Sequence, residues 1–218
     1  MQNSVAPFRR FARLPERCAL LLLGIAAAAL GIALTTCAGL GTTPISTVPY
    51  TASAITGLSF GTTTFLLNLC FVLGQMALLR RSFPLWNLLQ IPAVFVFGAA
   101  IDLAMALVSP HSAASWLPGL AMSLAGNVVL AVGIVLQIRS RTIVQPGEGI
   151  VLALSVTLRR PFGSVKVAND VVLSLAAALL GWAVLGHVVG LREGTLISAV
   201  LVGVFVKFIM KRFSERAK

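Results

Sequence analysis

The chain has 218 residues, of which 58% are hydrophobic and only 11% charged, and its mean hydropathy is +0.97. That balance excludes a soluble globular domain and defines an integral membrane protein. The formal net charge of +11 does not point to nucleic acid, because the basic residues are scattered among apolar runs rather than gathered in one domain.

Residues 1–17 form a basic segment, read as a cytoplasmic collar that touches anionic headgroups. The apolar run behind it, Cys18–Ala38, imitates a signal peptide but matches a later run and is expected to stay as a helix. Runs of the ~20 residues needed to span a bilayer follow near Gly61–Leu79, Trp86–Val108, Trp116–Ile138, Gly163–Leu185 and Gly194–Met210. The predicted fold class is all-α: a polytopic membrane protein of six transmembrane helices. Between the first two runs, Gly39-Leu40-Gly41-Thr42-Thr43-Pro44 reads as a chain reversal and a helix start, with Thr43 as N-cap and Pro44 in the first turn. Gly57-Leu58-Ser59-Phe60-Gly61 matches the G-x-S-x-G nucleophile pattern. That motif needs a strand-turn-helix elbow and a histidine, and the only histidines, His111 and His187, fall in loops, so no enzyme is expected.

The chain repeats itself. Pro44 corresponds to Pro146, Phe60 to Phe162, Gly61 to Gly163 and Asn68 to Asp170, all at an offset of 102, and Gly98 corresponds to Gly203 at 105. A fixed-offset repeat of this kind is an internal duplication. The repeats are placed at 18–109 and 110–210, with a basic tail at 211–218. Positive-inside bias puts both termini in the cytoplasm and only Arg192 of the 17 Lys and Arg residues outside. The bias survives only if Pro44–Ile55 and Pro146–Leu158 are re-entrant helices that enter and leave on one side. Three spans per repeat is odd, so the second repeat is predicted to run upside down, an inverted 3+3 plan whose sites lie at the repeat interface.

Glu148, Lys166 and Asp170 are ionisable residues within apolar sequence, and such groups at membrane depth are functional candidates. Lys166 and Asp170 are four apart and share a helical face. They are expected to line the inner half of a central substrate site, with Ser46, Thr64 and Asn68 lining the outer half. Pro44, Gly61, Pro146 and Gly163 are candidate hinges. Asp102 is a candidate proton site or a vestibule carboxylate, and its repeat counterpart is Lys207. Cys18, Cys37 and Cys70 show no metal or disulfide spacing. No P-loop, zinc signature or dinucleotide fingerprint is present, so neither metal nor cofactor is expected.

Together, Gly39-Leu40-Gly41-Thr42-Thr43-Pro44, Pro146-Gly147-Glu148-Gly149, Phe162-Gly163-Ser164-Val165-Lys166, Asp170 and Glu193-Gly194-Thr195 give the chain a resemblance to the YczE-like branch of the bacterial YczE/YyaS/YitT membrane proteins. Ile45 stands where that branch often has an aromatic residue. The resemblance implies a bacterial inner-membrane location and supplies no substrate. The leading functional expectation is a permease for a small polar solute, with the lipid bilayer as its other partner and homo-oligomerisation compatible. A membrane scaffold whose charges lock helices together, and a passive channel, remain open beside it.

Overall fold

The computed structural model describes residues 14–215. Residues 1–13 of the basic collar and 216–218 of the tail lie outside the described residues. The helices are α1 (Leu14–Cys37), α2 (Pro44–Thr56), α3 (Phe60–Leu79), α4 (Gln90–Val108), α5 (Trp116–Ser140), α6 (Pro146–Leu158), α7 (Phe162–Leu185) and α8 (Glu193–Glu215), with short 3-10 turns on either side of α4. Among the described residues there is no strand. Six helices among the described residues, α1, α3, α4, α5, α7 and α8, are long and apolar enough to cross a membrane. This is the architecture of a polytopic membrane protein. α2 and α6 have 13 residues each, about 20 Å at 1.5 Å per residue, too short to span alone.

The centre of the bundle is the antiparallel contact of α1 with α5. Gly24 faces Gly133, Gly31 faces Gly126 and Ala38 faces Gly119, each step seven residues along both helices. A Cβ on Gly31 would stand 2.5 Å from the backbone nitrogen of Leu130, and one on Gly126 would stand 2.9 Å from the Gly31 carbonyl. In lipid there is no hydrophobic force to drive helices together, so close backbone approach over small residues supplies the attraction instead. α4 packs on α1 and α3, and α8 packs on α5. The buried cluster of Ile25, Ala28, Ile32, Phe60, Phe97, Ile101 and Leu130 sits where α1, α3, α4 and α5 meet.

The two short helices tie the chain's halves together. α2 packs on α7 as well as on its neighbour α3, and α6 packs on α3 as well as on its neighbour α7. Each starts with a proline in the first turn, where the missing N–H is no loss. Their N-termini meet, since the δ-methyl of Ile45 fills the space that a side chain on Gly147 would need. The loop that follows α7 lies on the end of α1: Thr42 N–H donates to the Gly190 carbonyl and Gly194 N–H to that of Leu40. α7 has 24 residues, about 36 Å, so its start, preceded by Arg159 and Arg160, lies toward the opposite end of the bundle.

Local geometry recurs at the offset found in the sequence. Ser53 Oγ donates to the Leu58 carbonyl and Ser155 Oγ to that of Arg160, at 2.7 and 2.6 Å. Positive φ occurs at Gly39 and Arg141 (72° and 51°) and at Gly57 and Arg159 (74° and 52°). Thr43 is extended, as an N-cap should be, but caps no backbone N–H; its hydroxyl donates to Ser46 Oγ at 2.8 Å.

Gly31→Val and Gly126→Val are expected to destabilise the protein by about 3 kcal/mol or more, the upper range for overpacking, seen as loss of the monodisperse peak and of the thermal transition in detergent. Gly163→Ala, with no atom within 4 Å of its Cβ position, is expected to leave both unchanged.

Candidate functional site

Polar side chains collect around the N-terminus of each short helix. At α6, Glu148 lies in the first turn, where the helix dipole favours an anion. It is half-buried, its carboxylate accepts from its own backbone N–H, and it lies within electrostatic reach of Lys166 and Asp170. Lys166 Nζ and Asp170 Oδ1 form an ion pair of 3.0 Å one turn apart on α7, with side chains 28% and 22% exposed. The pairing expected from their spacing is present. Glu148 at the α6 N-terminus and the Lys166–Asp170 pair on α7 thus form a charged group able to interact with a polar solute.

At α2 the matching positions carry hydroxyls and an amide. Ser46 accepts from Thr43, Thr64 Oγ1 donates to the Phe60 carbonyl at 2.7 Å, and Asn68 Nδ2 donates to the Thr64 carbonyl at 2.8 Å. All three residues are buried. Among the described residues no hydrogen bond or ion pair joins this set to Glu148, Lys166 and Asp170. The point where the sets approach one another is the Ile45–Gly147 contact.

Four glutamines around α6 carry structure that sequence reasoning missed. Gln75 Nε2 donates to Gln90 Oε1 at 3.2 Å and to the Pro146 carbonyl at 3.3 Å, and Gln137 Nε2 donates to the Gly24 carbonyl at 3.0 Å. Gln145 Nε2 bonds Gln137 Oε1. These amides bolt the start of α6 to α1, α3, α4 and α5. Gln90 Nε2 has no protein partner, and Gln90 lines a cavity of about 20 Å³ with Gln137, Gln145 and Pro146, room for about one water. Buried amides in apolar spans were the available signal, and it is uncharged, so a search for ionisable groups passes over it. Asn127, fully buried on α5, and Ser198 on α8 likewise have side-chain atoms without protein partners.

Asp102 lies apart from this site, at the start of α3. It accepts from Ser59 Oγ at 2.6 Å and from Gly61 N–H at 2.7 Å, while Ser59 Oγ accepts from Thr62 N–H at 3.1 Å. Ser59 of the G-x-S-x-G pattern is thus a helix N-cap, with Asp102 reinforcing it from α4. Gly61 packs on Gly98, a close backbone contact between α3 and α4. Gly163, its counterpart, meets open space. Among the described residues no three His, Cys, Asp or Glu side chains gather as metal ligands.

Six long apolar helices, two half-length helices meeting tip to tip and a charged cluster beside one tip define a helical membrane protein with a buried polar centre. The chain belongs to DUF6198, a family of unknown function, whose model matches residues 15–211. No curated protein and no solved structure matches it.

Asp102→Ala is expected to lower stability by about 1–2 kcal/mol, the range for losing an N-cap, with Ser59→Ala at the low end, both read by thermal unfolding in detergent.

Proposed function

We propose that the protein is a transporter for a small polar solute, built as two inverted three-helix repeats, each with a re-entrant short helix, around a site at the repeat interface. The observation that carries this reading is the meeting of the α2 and α6 N-termini at Ile45 and Gly147, beside Glu148, Lys166 and Asp170. Helix N-termini carry partial positive charge and unpaired N–H groups. Irregular backbone at such depth is tolerated only where protein or a polar cavity surrounds it, and broken helices in transporters point such ends at anionic groups of their substrates. The solute is therefore a polar molecule that carries an acceptor for those N–H groups, beside a cluster in which Lys166 is already paired with Asp170.

Several features support the inverted repeat. The recurrence of caps and hydrogen bonds at an offset of 102 matches the spacing of the sequence motifs. The α1–α5 contacts are symmetric under the same offset: Gly24–Gly133 becomes Gly126–Gly31. Arginine follows α3, α5 and α6 at Arg80, Arg141 and Arg159, and positive-inside bias favours a cytoplasmic side for those helix ends. The motif resemblance to the YczE-like proteins accords with a bacterial inner-membrane location.

Glu148→Gln, Lys166→Met and Asp170→Asn are each expected to reduce uptake or efflux at normal expression, by tenfold or more, about the weight of one charge-assisted hydrogen bond. The assay is a solute-panel screen in proteoliposomes. A charge-swapped Lys166→Asp/Asp170→Lys protein that folds and transports normally would remove the pair from the site and leave it the role of locking helices, whereas no transport of any solute by the unaltered protein would favour the scaffold reading. Saturable counterflow separates a carrier from an open channel.

A further inference from the structure

The two halves of the molecule match closely except in one place. α3 packs along α4, but α7 makes no comparable contact with α8. On the first pair, Gly61 lies on Gly98, Phe60 is 6% exposed and Ile101 is fully buried. On the second, Gly163 and Gly203 both have nothing within 4 Å, Phe162 is 42% exposed, and Val206, the counterpart of Ile101, is half-buried. Gly163, Lys166 and Asp170 fall on one face of α7, at i, i+3 and i+7. The partial exposure of the ion pair follows from the missing cover.

We propose that the gap between α7 and α8 is the open doorway to Lys166 and Asp170, and that Asp102 is the latch holding the equivalent gap between α3 and α4 shut. This rests on the inverted-repeat transporter reading. In the opposite state Gly163 comes to rest on Gly203, as Gly61 now rests on Gly98, while α3 parts from α4 and uncovers the Thr64 and Asn68 side of the centre. Packed helix interfaces of this kind have discrete arrangements rather than a continuum.

The latches are unequal. Asp102 receives two hydrogen bonds from the start of α3, one from Ser59 and one from the Gly61 N–H, and its negative charge suits the positive end of that helix. At the corresponding place on α8 stands Lys207, and the start of α7 has no side-chain cap and is preceded by Arg159 and Arg160. Lysine cannot accept a hydrogen bond from a helix N-terminus, and its charge opposes the dipole. The α3–α4 side is thus held closed and the α7–α8 side has nothing equivalent, which accounts for the state the structure adopts. Asp102 is a positioning residue that sets the balance of the two states.

The test measures two distances in the full chain in proteoliposomes, with Cys18, Cys37 and Cys70 replaced by alanine. Spin labels go on exposed positions: Leu66→Cys with Leu103→Cys across the closed gap, and Val167→Cys with Phe208→Cys across the open one. Asp102→Ala should create a second population, raised about tenfold or more by loss of both hydrogen bonds that Asp102 accepts from the start of α3, in which the first distance lengthens while the second shortens. Asp102→Asn, which keeps an acceptor, serves where Asp102→Ala fails to fold and should show a smaller shift in the same sense. Gly203→Leu, placed in open space, should remove the short Val167–Phe208 population in either background. Unchanged distances in a folded Asp102 variant overturn the proposal, and so does lengthening across α3–α4 without shortening across α7–α8. If the distances exchange but Glu148→Gln transports normally, the site assignment fails and the doorway stands. If Glu148→Gln abolishes transport and the distances never exchange, the doorway alone fails.

Discussion

The antiparallel seam of α1 and α5 is the contact on which everything else is hung. Glycine every seventh residue on both helices lets the two backbones close on one another, and the register that pairs Gly24 with Gly133 also pairs Gly31 with Gly126. A seam that reads the same from either end fixes how the two halves stand, because α4 docks on one side of it and α8 on the other. Dispersion at close range is short-ranged and sharply dependent on fit. A single added methyl at the centre therefore disturbs both halves at once.

From that seam follows the problem of the two half-length helices. A helix that starts inside a packed bundle leaves its first N–H groups without partners in the helix itself, and each is expensive where water does not reach. At α2 the surroundings are hydroxyl-bearing, with Thr36 and Thr42 bonded to each other and Thr43 to Ser46. At α6 they are amides, with Gln75, Gln90, Gln137 and Gln145 around Pro146. The longer amides reach across four neighbouring helices, whereas the hydroxyls have a shorter reach, Thr63 to the Pro49 carbonyl and Thr51 to that of Val189. The consequence is a second short helix bolted to its neighbours by amides and a first one held by hydroxyls together with Tyr50, edge-on to Phe60 with ring centroids 5.3 Å apart.

How far the molecule was legible from its sequence depended on the kind of signal. Hydropathy placed the six long helices, because length and apolarity are local properties. Proline and glycine at fixed offsets placed the short helices, and the four-residue spacing of Lys166 and Asp170 gave their pairing. What the sequence could not carry was contact between distant segments. Nothing around Gln75 announces that it meets Pro146, and nothing around Asp102 announces that it caps α3. Gly61 and Gly163 read alike as candidate hinges, yet one is pinned against Gly98 and the other meets empty space. The difference lies in where α4 and α8 stand, a tertiary fact that no local pattern encodes.

The helix caps carry one more implication. At the end of α1 and of α2 the left-handed residue is glycine, while the matching residue after α5 and after α6 is Arg141 or Arg159, and Arg80 ends α3 with positive φ as well. A side chain in that conformation costs about 1–2 kcal/mol, which glycine would recover. Those same arginines are the charges that topology selection acts upon. Thermal endurance and correct insertion therefore make opposite demands on three positions, and a variant matured purely for robustness in detergent would drift toward glycine there and lose its sense of which way up to sit.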